Sequence, residues 1–384
     1  MAGPDDRTPV LLSAARTPVG RFSGALRGID AVDLGAHAIR AALDRAGNPV
    51  PDQVLLGNVV QAGNGQNPAR VAGTRGGVPM TVPGITLNNV CLASLSAAGL
   101  AATLVRAGEL DVALVGGFES MSRALHGVPV RAAPRVGDGA MVDLLVRDGL
   151  WCALCEQGMG EMSDGVTSEL GIGRGDQDAF ALESHRRATA AAGLLAEEIA
   201  PLPQLDRDEG VRRDTSLEKL AALRPAFTPD GTLTAGNSSQ MSDAGSAGVV
   251  TSAARARALG IEPLAEIAGY ATVAGPDPTL HLKPAAAAGA LLKRHGLTPA
   301  DIDLWEINEA FAAVVLASMR DLGVDHERVN VNGGAIAVGH PLGASGFRLV
   351  LTLAHEMRRR GAELGLAAIC GGGGQGGALL LRRP

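Results

Sequence analysis

The sequence predicts an α/β protein made of two duplicated halves, with a long insertion between them. Three observations carry this. Continuous apolar, strand-like runs alternate with helix-like segments, which points to parallel sheets covered by helices on both faces. Residues 41–63 and 290–312 share one pattern: a helix closed by glycine (Gly47, Gly296), a proline-containing loop, and a short apolar strand ending at Asn58 or Asn308. The register then holds, because Asn58 lies 33 residues before Cys91 and Asn308 lies 32 before His340.

Each of those points is followed by a helix of small residues, over 94–107 and 344–357, and then by a buried strand, DVALVGG (111–117) or GLAAICGG (365–372). In the first helix Ser94, Ala97, Ala98, Ala101 and Ala102 form a stripe of small side chains. Leu95, Leu100, Leu104 and Val105 cover much of the rest, so the helix is expected to be buried and closely approached by its counterpart from the other half. The intervening segment is richer in charge, Met, Pro and Gly. It contains one clear helix, 176–193, with Asp176 as its expected N-cap. The expected organisation is a first half of 1–117 plus about 246–261, an inserted loop domain over 118–245 that covers the substrate and makes oligomer contacts, and a second half over 262–384.

Composition narrows the function classes. With 384 residues, 46% of them hydrophobic, a large core is available, but aromatics at 2% leave it to Ala, Val, Leu and Ile. A net charge of −6 and so few stacking rings argue against a nucleic-acid platform. No apolar stretch of spanning length lacks charge, Pro or Gly, and no secretory leader is read, so a cytoplasmic protein with no membrane partner is expected. Four cysteines in so long a chain suit a reducing compartment better than a disulfide framework.

Cys91 falls where the loop LNNV gives way to the first small-residue helix. A helix N-terminus carries partial positive charge, so the thiol is expected to titrate below its usual pKa of about 8.5, at roughly 4–7. The plainer alternative is a small buried hydrophobe. His340 occupies the equivalent point of the second half, in GGAIAVGHPLGASG. Cys370 ends the last buried strand and enters GGGGQGG, where backbone N–H groups can approach a ligand unobstructed. No helix follows that run, which removes the dinucleotide-binding reading and favours an oxyanion site. Asn308, in INEAF, is either a turn residue or an amide that orients a water or an oxyanion. Cys152 and Cys155 form a CxxC without a second pair for zinc and are expected to be incidental thiols.

These residues closely resemble the thiolase family. VNGGAIAVGHPLGASG, INEAFA, NNVCLAS, GGFESMS and CGGGGQGG are near the family's form, as are RTPVGRFSG, GNGQNPAR and RPAFTPDGTLTAGNSS, over nearly the whole chain and in order. The resemblance implies a five-layered αβαβα fold and a CoA thioester substrate. It implies Claisen condensation of two acetyl-CoA to acetoacetyl-CoA and CoA, or the reverse thiolysis, through an S-acyl-cysteine. Cys91 would be the nucleophile and His340 its activator. Cys370 would be the acid/base at the α-carbon. Asn308 would position a water in one oxyanion hole, and the N–H groups of Cys91 and Gly372 would form another. Ser239 and Arg212 match CoA contacts, and Met159, Ala310 and Phe311 match the pocket lining. No metal or cofactor is implied, and acyl-CoA and CoA are the expected partners of a homodimer or homotetramer. Alternatives are a thiolase for longer 3-ketoacyl-CoAs and a non-catalytic acyl-CoA-binding protein on the same fold. A β-ketoacyl synthase is disfavoured by Cys370. Three departures from the pattern, Ser94 in CLAS, Gly158 in QGMG, and LHLKP over 280–284, bear on acyl-chain preference.

Overall fold

The computed structural model describes residues 6–132 and 136–384. The first half contributes β1 (Pro9–Arg16), α1 (Ala31–Arg45), β2 (Gln53–Gly57), α2 (Pro68–Arg75), β3 (Gly84–Leu87), α3 (Ala93–Ala107) and β4 (Val112–Ser120). An insertion carrying α4 (Met159–Glu169) and α5 (Arg174–Ala190) follows, and the chain rejoins the first sheet through β5 (Ser242–Ser252). The second half contributes β6 (Ala265–Ala274), α6 (Lys283–His295), β7 (Leu304–Ile307), α7 (Ala312–Leu322), α8 (Leu342–Arg360), β8 (Leu364–Gly371) and β9 (Gln375–Arg382).

The strands run in the order β7-β8-β9-β6-β1-β5-β4-β2-β3. The duplication is visible in that order, because β1-β5-β4-β2 of the first half repeats as β6-β9-β8-β7 in the second. Even the edge strand β3 has a counterpart, the single bridge from Trp305 to Val329. The halves join at a short seam, where Val10 and Leu11 of β1 pair with Glu266 and Ala265 of β6.

The expectation of parallel sheets requires correction, for both sheets are mixed. Only β2 with β3, β2 with β4, and β7 with β8 run parallel. The other pairs along this order are antiparallel. The chain turns back from β8 into β9 through the glycines after Cys370, and β5 returns from the insertion directly beside β4.

Five layers result. One outer core packs α1 and α2 on the first sheet, with Ile39, Ala42, Leu56, Ala72 and Leu114 buried. The other packs α6 and α7 on the second, with Leu291, Val315, Leu366 and Leu380 buried. Between the sheets lie α3 and α8, where Leu95, Ala98, Ala102, Phe347, Val350 and Ala354 share one core. α3 with its leading turn is apolar and long enough to cross a membrane, yet most of it is packed inside this layer. It is not buried all round as expected, since Leu100 is 41% exposed and Thr103 and Arg106 also face outward. The inner layer is open along that flank.

The insertion is pinned by a buried ion cluster. Arg16, at the end of β1, donates from Nε to Glu198 (2.9 Å) and from both terminal nitrogens to Asp208 (2.7 and 2.9 Å). Within the insertion, Asp176 is not the cap of α5. Gly173 caps it in extended conformation, and Asp176 sits in the first turn, where its charge still suits the helix dipole.

The small stripe on α3 matters because α8 comes close to it. A Cβ added at Gly346 would lie 2.6 Å from the backbone nitrogen of Leu95, and Phe347 N–H donates to Ser94 Oγ at 2.9 Å. Gly346→Ala therefore sets a helix-propensity gain of about 1 kcal/mol against an overpacking cost of about 1–3 kcal/mol. The clash is with main chain, which yields least, so net destabilisation is expected in urea or thermal unfolding. A gain in stability would show that the helices can part freely.

Candidate active site

Cys91 stands on a strained turn between β3 and α3. α3 begins at Ala93, with Leu92 as its cap, so Cys91 precedes the helix. The preceding Val90 has φ +57°, a left-handed conformation that β-branched residues seldom adopt. Such strain costs about 1–3 kcal/mol and persists only where surroundings fix it. Here Asn88 Oδ1 accepts from Val90 N–H (3.1 Å), Val90 O accepts from Ala93 N–H (3.0 Å), and Asn89 Nδ2 donates to Ser96 Oγ (2.7 Å). The turn aims the thiol into a chamber of about 70 Å³ lined also by Leu150, Met159, Ala310, Phe311, His340, Cys370 and Gly372.

His340 enters from the second half. Gly339 before it has φ +119°, and a Cβ there would meet Ser242 Oγ at 2.3 Å, so only glycine lets the chain present this imidazole. The insertion steadies it, because Gln240 O accepts from His340 N–H at 2.9 Å. Ser345 fixes the ring. Its hydroxyl donates to Pro341 O (2.8 Å), so toward His340 Nδ1 (2.6 Å) it must accept. Nδ1 therefore carries the proton, and Nε2 is left as a base. Asn308 Nδ2 lies 3.4 Å from that Nε2. Asn308 is fully buried, and its Oδ1 has no partner among the described residues.

The resting thiol does not titrate low, as its position near a helix start suggested. Burial, the largest influence, pushes Cys91 up to about 12, although its own N–H and that of Gly372 point at the sulfur and pull the other way. By surface the side chain is only half-buried, because it faces the chamber. Burial, followed by the positive charge of Arg348, lowers His340 to about 3. Desolvation outweighs the partial charge of the helix end, so Cys91 and His340 rest as a neutral thiol and a neutral imidazole. Cys370, buried at the end of β8, is raised above the ordinary thiol value, first by burial and then by the charge of Cys91.

The chamber opens into a cavity of about 590 Å³ lined by Met159, Phe227, Ser239, Phe311 and, near its mouth, the exposed Arg21 and Arg212. All five expected catalytic positions and all five expected binding positions thus lie around one connected space or, for Asn308, directly behind His340. A more open hollow of about 650 Å³ beside Phe180 and His326 holds none of them. Of the three departures, Ser94 ties α3 to α8, and Gly158 leaves open space at the cavity wall. Within 280–284, Lys283 donates to Gly275 O (2.9 Å) and Asp277 (3.1 Å), and Lys283 O lies against Gly376 behind the glycine run.

Sequence reasoning missed Ser345, Arg21, the strain at Val90, and Glu119. Glu119, buried at the end of β4, accepts from Val59 N–H (3.0 Å), Val60 N–H (3.1 Å), Asn58 Nδ2 (2.9 Å) and Gly343 N–H (2.9 Å). It joins the first half to the turn that follows His340. All four partners are donors, so the site is built for the carboxylate, although burial raises its pKa to about 7. The signal available was a carboxylate just past an apolar strand in GGFES.

The neutral pair has a kinetic signature. Alkylation of Cys91 by iodoacetamide should keep accelerating as pH rises through 7 to 9, because the thiolate fraction grows toward a pKa near 12. A plateau already reached near pH 6 would mean a resting thiolate–imidazolium pair.

Comparison with known proteins agrees with this geometry. The family model described as the thiolase N-terminal domain matches residues 9–254, and that of the thiolase C-terminal domain matches 261–383. The chain is 46% identical to a probable acetyl-CoA acetyltransferase of Mycolicibacterium smegmatis, over 97% of this chain and 100% of the relative. It is 47% identical to an acetyl-CoA acetyltransferase of Cupriavidus necator, over 97% and 99%. It is 45% identical to one of Escherichia coli, over 97% and 98%. The chain belongs to the thiolase family.

Proposed function

We propose that this chain is an acyltransferase that condenses two acetyl-CoA into acetoacetyl-CoA and CoA, and runs the reverse thiolysis, with the acyl group carried on Cys91. One observation carries the reading: Cys91 from the first half and His340 and Cys370 from the second face one small chamber, with the Gly372 amide directed at the Cys91 sulfur.

The first step begins from neutral partners. The Cys91 thiol attacks the thioester carbonyl while His340 Nε2 takes its proton. The C–S bond to CoA breaks, and the departing CoA thiolate receives that proton. The carbonyl oxygen of the acyl-enzyme then lies toward the N–H groups of Cys91 and Gly372, which already converge on the sulfur. In the second step Cys370 removes the α-proton of a second acetyl-CoA. For this, Cys370 first passes its own proton to His340 Nε2. The enolate oxygen is then held by that Nε2–H and by a water on Asn308. The carbanion attacks the acyl carbon, the acyl bond to the Cys91 sulfur breaks, and that sulfur takes the proton back from His340.

The wider cavity suits the rest of CoA. Its apolar lining fits pantetheine, and Arg21 and Arg212 at the mouth supply local positive charge for phosphates on an acidic protein. The chamber of about 70 Å³ favours a short acyl group. The open wall at Gly158 is the one observation that favours longer 3-ketoacyl chains.

After incubation with acetyl-CoA, mass spectrometry should find an acetyl group on Cys91, and Asn308→Ala should lower kcat about 10²–10³-fold, as loss of one oxyanion donor does. In thiolysis, kcat/KM should fall from acetoacetyl-CoA to longer 3-ketoacyl-CoAs. Acetylation elsewhere contradicts the nucleophile, and a rising chain-length series replaces the acetyl reading with the longer-chain one.

A further inference from the structure

The sequence CxxC at Cys152 and Cys155 takes no part in the reaction above, yet the two thiols are not scattered. Trp151–Cys152 and Gln157–Gly158 form a small antiparallel hairpin, with Trp151 paired to Gly158 and Cys152 to Gln157. Cys155 lies in its turn, three residues on from Cys152, and each thiol influences the titration of the other. The backbone N–H groups of Leu154, Cys155 and Gly373 favour the Cys152 thiolate. Burial raises its pKa, but these donors and the neighbouring thiol outweigh burial and hold it below the ordinary thiol value. Cys152 has little surface of its own, but the cover is thin: Leu154 in the turn is 77% exposed and Cys155 is half-buried. Among the described residues no third His, Cys, Asp or Glu joins them as a metal-holding group.

The hairpin is also part of the wall of the cavity. Gly158 closes it, Met159 follows at once, and both line the space in front of Cys91. Cys155 Sγ packs 3.8 Å from Met162 Sδ, in the apolar cluster that contains Phe311 and Cys370. Gly373, whose N–H favours the Cys152 thiolate, is next to Gly372 in the loop that supplies an amide to the chamber.

We propose that Cys152 and Cys155 are an oxidation site, a dithiol that a peroxide closes to a disulfide and that alters the acyl pocket through Gly158, Met159 and the Gly372 loop. The Cys152 thiolate attacks one peroxide oxygen, the O–O bond breaks, and a sulfenic acid and hydroxide form. The Cys155 thiol then displaces the sulfenic oxygen, which leaves as water, and the S–S bond closes. Two electrons pass from the sulfurs to the peroxide, and a dithiol reductant returns them.

Trypsin releases Asp148–Arg174 as one peptide that contains both thiols and neither Cys91 nor Cys370. After hydrogen peroxide treatment of the whole protein, that peptide should lose about 2 Da, the mass of two hydrogens, and regain it with dithiothreitol. Once oxygen on Met159 and Met162 is set aside, an unchanged mass, oxygen added to Cys152 or Cys155, or a cross-link to another peptide overturns the site. The effect on the pocket rests on the function proposed above, whereas the mass readout does not, so the two can fail separately. Oxidation of Cys91 affects every variant alike. The pocket effect is therefore the additional, reductant-reversible change in kcat/KM, several-fold, of the wild type over Cys152→Ser. Equal losses in the two proteins, with the disulfide formed, overturn the link to the pocket.

Discussion

The site depends on one buried carboxylate. Glu119 ends a core strand of the first half and receives N–H groups from the loop after β2 and from the first turn of α8. Neither half alone contains both the strained Cys91 turn and the His340 corner. Glu119 holds the start of α8, and with it His340, against the half that carries Cys91. A charge so placed is costly to desolvate; three of its four donors come from its own half, and the fourth, Gly343 N–H, is supplied only while both halves are docked. The same docking explains the small side chains of α3 and the glycines of α8, since larger residues would hold the two helix starts apart.

The chemistry follows from that burial. The mostly apolar surroundings penalise every charge, so the thiol is lifted and the imidazole lowered, and neither ionises at rest. In the proposed mechanism, proton transfer is then deferred to the moment of attack, when the amides of Cys91 and Gly372 would meet a developing oxyanion in a setting that magnifies their effect. Ser345 completes the arrangement at small cost by choosing which imidazole nitrogen holds the proton.

Much of this was legible in the sequence, and the reasons differ by residue. The duplication could be read because it repeats a spacing, from Asn58 to Cys91 and from Asn308 to His340. Their meeting could be expected because equivalent points of two packed halves converge. The strand directions could not be read, since β9 follows a glycine turn and carries no mark of the direction in which it pairs. Asp176 was misplaced because a capping residue and a first-turn acid look alike in sequence, and Gly173 took the cap. The thiol's titration was misjudged because spacing reveals a helix start but not the depth at which it lies. The strain at Val90 left no trace at all, for nothing in the residue type announces a positive φ. Glu119 and Ser345 act through contacts with residues brought near by folding or by a turn, so their types alone did not single them out.

The most direct test is the rate of the first half-reaction in Glu119→Gln, measured as the burst of CoA released from acetyl-CoA in a single turnover. The substitution keeps the shape but replaces one acceptor oxygen with an amide NH₂ that faces donors. A shift of about 1 Å between catalytic groups can cost 10²-fold. The account predicts a burst slowed by about that factor in a protein that remains folded by circular dichroism and still binds CoA. A burst as fast as that of the wild type would contradict it, because the nucleophile and its base would then be held together by something other than this carboxylate.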